Sequence, residues 1–494
     1  MAGCRGLAPA HQEQVHHRIV AENPWWASQG RPAQPFGDLK PRAYLQLLYP
    51  LVSAKSPRRA IILLGPRRVG KTVILHHAIQ RLIADGAESK AICYISVDHP
   101  IYNGLALEEM IDLASEASDR DYRTQAAFIF FDEVQYLRDW QRHLKSLVDS
   151  HPHLKCIASG SAAAALQLGS RESGAGRFTE FFLPPLTFHE YLLLLGKMNL
   201  VSIEHGEIIS APDIAALNRE FIDYINYGGY PEVVFSEEVR ADPGRFIKSD
   251  IVDKVLLRDL PGLYGIRDIQ ELNYLFTTLA FNTADEVSLE QLAQRSGVAK
   301  NTIKRYVTYL EAAFLIKRVS RIDQQARRFR RANYFKVYLV NPSMRAALFS
   351  PLDEADPAFG SLVETAIFSQ WFHGEGAEKL SYARWKEGEV DLVYLDSATR
   401  RPDWAVEVKW SDRVATHPEE LSNLLDFCRA NKIEDGLITT QTISDVSTRD
   451  KIAIELEPAS LYCLRVGYNR IQGLLARQEL SRRFRRKSAS RGGT

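Results

Sequence analysis

The chain has 494 residues, 45% of them apolar and 25% charged, and a formal net charge of +1. That length exceeds what one hydrophobic core serves and predicts about three domains of an ordinary soluble, globular kind. A near-neutral balance supplies no global attraction to nucleic acid, so any such attraction has to come from local patches.

The first forty residues are rich in Pro, Gly, Trp and His, and read as an irregular leader (1–40). The opening MAGCRGLAPAHQEQVHHRIV has no basic start followed by an apolar stretch, so no signal peptide is expected. No apolar run approaches the length of a bilayer, which predicts a cytoplasmic protein without a membrane partner. The five cysteines (Cys4, Cys93, Cys156, Cys428 and Cys463) are scattered without a CxxC pair, and read as buried thiols in a reducing compartment.

A helix is expected over 41–52, and an α/β alternation follows from Arg59. The apolar runs AIILLG, AICYISV, AAFIFFDE and LKCIASGS are separated by helical stretches, which predicts a parallel sheet flanked by helices. Between the first run and its helix lies LLGPRRVGKT (63–72), with the GxxxxGK[ST] spacing of a phosphate-binding loop. Gly65 and Gly70 permit the tight turn, with Pro66, Arg67, Arg68, Val69 and Val73 completing the cradle. In this pattern Lys71 reaches the β and γ phosphates of ATP and Thr72 ligates Mg²⁺. FIFFDE (128–133) ends a buried strand in two acids. Asp132 is placed to hold Mg²⁺ through water, and Glu133 to orient or deprotonate an attacking water. Ser159 and Ser161 follow the next strand, and each reads equally as a γ-phosphate sensor or a helix N-cap. In the glycine-containing stretch beyond, Arg171 and Arg177 are either arginine fingers or surface charges.

The pattern changes near YGGYPEVV (227–234). Residues 286–320 then read as helix, a turn at Ser296-Gly297, and a second helix exposing Lys300, Asn301, Lys304 and Arg305. Arg327, Arg328, Arg330 and Arg331 add a basic run suited to phosphates. This winged-helix segment either contacts DNA or packs on the domain before it.

From about Gly360 comes the helix SLVETAIFSQWF and then a hairpin, EVDLVYLDSATRRPDWAVEVKWS (389–411). Glu407 and Lys409 lie two apart and share a strand face, and strand pairing brings Asp391 close to Glu407. Two facing carboxylates repel unless a cation lies between them. With Mg²⁺ there, and Lys409 beside it, the set suits metal-dependent phosphodiester chemistry, and Glu364 could add a third carboxylate. The same residues also read as an exposed ion pair and a surface charge.

GPRRVGKT, FDEVQ, the SGS turn, GRFTEFFLPPLTFHEY and YGGYPEVV follow one another as they do in a family of prokaryotic ATPases. The chain resembles that AAA-type family, close to archaeal-type and signal-transduction ATPases, from about residue 40 to about 470. The resemblance implies that Gly229, Tyr230 and Pro231 lie near the nucleotide and that Arg177 matches the arginine of the family's GR pair. It also implies a C-terminal domain similar to the PD-(D/E)xK nucleases, with Glu364, Asp391, Glu407 and Lys409 in the matching positions. The proline usual before the first acid is replaced by Glu389-Val390.

The expected architecture is α/β throughout: a P-loop AAA-type ATPase domain (41–235), a helical and winged-helix segment (236–345), a restriction-endonuclease-like domain (346–470) and a basic tail (471–494). The expected function is Mg²⁺-dependent ATP hydrolysis coupled to a nuclease-like domain acting on nucleic acid, DNA ahead of RNA, with a homo-oligomer or a protein partner also compatible. The alternatives are a signalling switch with an inactive nuclease-like domain, and a DNA-binding regulator without cleavage.

Overall fold

The computed structural model describes residues 9–27, 35–54, 56, 58–161, 164, 176–327, 333–372 and 377–491. They form two compact units: residues up to Leu183 together with those from Arg477 onward, and Pro184–Ala476.

The first unit holds a sheet of five parallel strands among the described residues: β1 (Ala60–Leu64), β2 (Ile92–Ser96), β3 (Ala127–Asp132), β4 (Leu154–Gly160) and β5 (Phe178–Phe182). Their order is β2-β3-β4-β1-β5. The four apolar runs of the sequence become β1 to β4 because both faces of a parallel sheet are covered, while β5 is not among them. Phe130 and Phe131 of β3 are fully buried, each stabilising the fold by about 2 kcal/mol. Helices α1 (Pro9–Glu22), α2 (Leu45–Ser53), α3 (Lys71–Ala84), α4 (Leu107–Ser118) and α5 (Trp140–Ser150) complete the unit.

The leader is not irregular throughout. Its residues 9–22 form α1, which buries Val15 and Ile19, and the indole N–H groups of Trp25 and Trp26 both donate to the Ile92 carbonyl, at 3.0 and 2.8 Å. Two apolar positions four apart make a narrow stripe, too narrow to register as helical periodicity.

The second unit contains α6 (Phe188–Leu195), α7 (Ile214–Tyr227), α8 (Ile269–Phe281), α9 (Leu289–Ser296), α10 (Lys300–Ala312), α11 (Phe359–Trp371) and α12 (Ser422–Asn431). A small antiparallel pair joins β6 (Ser202–Glu204) to β7 (Glu207–Ser210). The remaining strands are β8 (Glu286–Ser288), β9 (Ile316–Ile322), β10 (Tyr334–Leu339), β11 (Leu380–Arg384), β12 (Glu389–Leu395), β13 (Pro402–Glu407), β14 (Asp435–Thr440), β15 (Asp445–Arg449) and β16 (Ile452–Pro458). They make one sheet in the order β15-β16-β14-β13-β12-β11-β9-β10-β8. One apolar core lies under α11, with Leu392, Val406 and Val408, and another under α12, with Val393, Ala405 and Ile438.

Three expected boundaries move. The first unit ends at Leu183, so 184–235 belongs with the later residues, where Phe188, Tyr191, Phe221 and Tyr224 share a core with α11. No division falls near 345, because β9 pairs in parallel with β11 and joins the strands after α10 to the hairpin strands. The expected basic tail continues helix α13 (Ala459–Arg491). The helix, turn and helix expected over 286–320 are present as α9, Gly297 in a left-handed conformation (φ 71°) and α10, and the antiparallel strands β9 and β10 follow them. Arg328, Arg330 and Arg331, like Arg171, lie outside the described residues.

Candidate functional sites

The phosphate loop joins β1 to α3 at the carboxyl edge of the first sheet. Gly70 has φ 90° and Arg68 φ 66°, and a Cβ on Gly65 would lie 2.1 Å from the Leu183 carbonyl oxygen. These positions explain why the loop takes glycine at both ends. Gly65, Pro66 and Val69 are buried, Arg67 and Val73 are half-buried, and Arg68 is exposed. Lys71 is buried and donates to the Pro66 and Gly65 carbonyls at 2.8 and 3.2 Å. Burial pulls its pKa down, while Glu133 and Asp132 oppose that shift.

Thr72 Oγ1 and the Tyr94 hydroxyl both donate to Asp132 Oδ2 at 2.7 Å. Ser159 Oγ donates to Asp132 Oδ1 and accepts the Glu133 N–H at 3.2 Å. Glu133 stands in a left-handed conformation (φ 56°) just past β3, hydrogen-bonded to Gln135 Nε2. Gln135 Oε1 also accepts the Ser161 N–H at 3.2 Å. Burial raises the Glu133 carboxyl above its ordinary pKa, with Lys71 opposing. Ser161 Oγ is buried without a hydrogen-bond partner among the described residues. The structure thus brings Thr72, Asp132, Glu133 and Ser159 into contact at the end of β3, with Lys71 opening α3 and Ser161 just past β4. Tyr94 and Gln135 were not singled out in the sequence, although Gln135 lies inside the quoted FDEVQ.

Arg177 is not brought to this loop. It precedes β5 at the amino end of the sheet, where Phe178 pairs with Ala60, and it donates to both carboxylate oxygens of Asp149 at 2.7 and 2.9 Å. The loop follows the other end of β1, about 15 Å along the strand, which rules out action on its own loop's phosphates. Pro231 opens a short helix (Pro231–Phe235) in the second unit.

The hairpin of the second unit forms as read. Leu392 pairs with Val406 in antiparallel register, which sets Asp391 opposite Glu407. Both acids are buried. Asp391 Oδ2 accepts the Val408 N–H at 3.0 Å, and Lys409 Nζ lies 2.9 Å from Glu407 Oε1. Thr439 anchors Lys409 by accepting its N–H and donating to its carbonyl, each at 2.7 Å. Glu364 joins the cluster from α11 and accepts the Tyr338 hydroxyl at 2.6 Å.

A second lysine, unforeseen from the sequence, lies among these acids. Lys336 of β10 is 4% exposed, and its Nζ is 2.9 Å from Glu364, 2.7 Å from Glu389 and 2.9 Å from Asp391. A lone lysine inside the apolar strand YFKVYL was the available signal. Burial opposes its charge, but Asp391 and Glu364 hold its pKa well above the ordinary value. Burial works against the Asp391 carboxylate too, yet Lys336 and Lys409 keep its pKa below the ordinary value. Burial and the Asp391 charge push Glu407 up to about 8, and burial carries Glu364 to about 7 against Lys336. The acids therefore divide into a charged one held by lysines and two that readily take a proton.

The Mg²⁺ expected between Asp391 and Glu407 finds mixed support. Glu407 Oε2 is buried with no hydrogen-bond partner among the described residues, an oxygen suited to a cation. Among the described residues, however, no three His, Cys, Asp or Glu side chains gather as metal ligands.

Residues 57–192 match the family described as AAA domain, and residues 218–355 match a domain of unknown function, DUF8612. The chain is 22% identical to an uncharacterized protein of Haemophilus influenzae over 384 residues, covering 76% of this chain and 88% of that one. It is 24% identical to an uncharacterized protein of Methanocaldococcus jannaschii over 349 residues, 68% of this chain and 72% of the other. Among solved structures it is similar to the Aeropyrum pernix ORC1 protein in complex with DNA, at 15% identity and a TM-score of 0.29, covering 63% of this chain and 93% of that one. The match over 57–192, together with the loop and the acids of β3, makes this segment an AAA-type ATPase domain. Among the described residues, no helix is long and apolar enough to cross a membrane.

Proposed function

We propose that the chain is a cytoplasmic, Mg²⁺-dependent ATPase whose nucleotide state repositions a PD-(D/E)xK-like domain and its winged helix on nucleic acid, DNA ahead of RNA. The meeting of Lys71, Thr72, Asp132 and Glu133 at one sheet edge carries the ATPase half of this reading. Thr72 and Asp132 would hold Mg²⁺, whose charge neutralises phosphate oxygens when bound. Lys71 exchanges its loop carbonyls for phosphate, Ser161 offers its hydroxyl to the γ phosphate, and Glu133 takes a proton from water. Arg177 serves as a finger only in trans, which requires a homo-oligomer.

Glu133→Gln is expected to retain ATP binding and to lose hydrolysis by at least about a hundredfold, as removal of a positioned general base does. Turnover near that of the unaltered chain would overturn the assignment of Glu133.

Support for the nuclease half is the cluster of Asp391, Glu407, Glu364 and Lys409, with a Glu407 oxygen that has no hydrogen-bond partner among the described residues. Incubated with Mg²⁺ or Mn²⁺, with and without ATP, the chain is expected to cut plasmid, single-stranded DNA or RNA, and Lys409→Ala to abolish the cut. Equal cleavage by both proteins would remove the activity from this site. The ion pairs of Lys336 favour a second reading, in which this domain is inactive and the ATPase signals to a protein partner.

A further inference from the structure

Lys336 comes to the acid cluster from outside the hairpin. It is carried on β10, a strand of the winged-helix segment, and its ammonium touches three carboxylates from two other elements: Glu364 of α11, and Glu389 and Asp391 of β12. Its Nζ lies over the Tyr382 ring, 5.5 Å from the ring centroid. The cluster is therefore lopsided. Asp391 Oδ1, Glu364 and Glu389 face Lys336, while Glu407 faces Lys409 and keeps one buried oxygen without a partner among the described residues.

The spacing shows what this arrangement excludes. Oxygens of the three acids stand 2.7–2.9 Å from the ammonium nitrogen. Mg²⁺ draws its oxygens in to roughly 2.0–2.1 Å and Ca²⁺ to roughly 2.3–2.6 Å. A divalent ion placed beside an unmoved ammonium would also meet its repulsion at close range, in a setting with little water to screen it. One cation or the other can take the centre of these carboxylates.

We infer that Lys336 is a tethered counter-ion, competing with a divalent cation for Asp391 and Glu364, so that cation uptake and release of Lys336 are a single exchange. This rests on the nuclease-like reading of the cluster and adds to it a residue from the winged-helix strands. With four flexible methylenes the ammonium can leave the acids without β10 leaving the sheet.

The test is Mn²⁺ binding to the full chain, without nucleotide, followed by calorimetry. Lys336→Gln is expected to bind Mn²⁺ about tenfold more tightly than the unaltered chain, because no internal cation has to be displaced. Equal or weaker binding by a folded Lys336→Gln protein overturns the inference and leaves the nuclease-like reading in place. No binding by either protein overturns both. Because unpaired buried acids can unfold that variant, the unaltered chain supplies a second measurement: acetylation of Lys336 by acetic anhydride, read by mass spectrometry. Saturating Mn²⁺ is expected to raise labelling of Lys336 severalfold, with the exposed Lys304 as an unchanging reference. Unaltered labelling with Mn²⁺ bound overturns the exchange.

Discussion

Glu407 and Asp391 stand opposite each other on paired strands, buried together, and do not share their charge evenly. Asp391 keeps the negative charge because both lysines act on it, and Glu407 takes up a proton more easily than an ordinary glutamate. With the Glu407 carboxyl raised from 4.5 to about 8, the folded chain holds a proton that the unfolded chain has already lost across that window. Its contribution to stability is complete below about 4.5 and is lost as pH rises through about 8. Glu364, raised to about 7, acts in the same sense. Melting temperatures measured in metal-free buffer from pH 5 to 9 are therefore expected to fall less for Glu407→Gln than for the unaltered chain. The gap should open on the alkaline side; parallel curves would show that the proton does not reside on Glu407.

At the scale of elements, α10 is the test of nucleic-acid contact. Lys304 and Arg305 are exposed on it, whereas Lys300 is held by Glu290. If this helix meets a DNA backbone, Lys304→Ala with Arg305→Ala should weaken binding across sequences and lower the salt slope by about 2. An unchanged slope would remove α10 from the interface. Elements whose chemistry lies within a few residues could be read directly. The turn before α10, the 389–411 hairpin and the phosphate loop all depend on neighbours in sequence or on one fixed spacing. Lys336 could not be assigned from the sequence, since its acids lie 28 to 55 residues further on and only tertiary pairing brings them to it. The same holds for Tyr94, whose hydroxyl reaches Asp132 from the neighbouring strand. The register rule that placed Asp391 against Glu407 had no counterpart for β9 against β11. A parallel pair leaves no turn between its strands to announce it.

For the whole molecule, the change of sequence character near Gly228 suggested a border where the fold has none, and the two units divide at Leu183 instead. The segment from α9 to β10 is visible through its turn and its helices. Whether its strands stop there or continue into a larger sheet is decided by pairings about sixty residues apart in the chain. That distant pairing also has a consequence in time. During synthesis β9 and β10 leave the ribosome before β11 and before any of the acids that surround Lys336. Until those arrive, the β11-facing edge of β9 has no strand to pair with and Lys336 lacks its three acids, so β9 and β10 can only finish folding late. Contacts between parts so far apart in sequence are slow to form. The unit 184–476 is thus expected to have a vulnerable interval in its biogenesis, one that its finished sheet does not reveal.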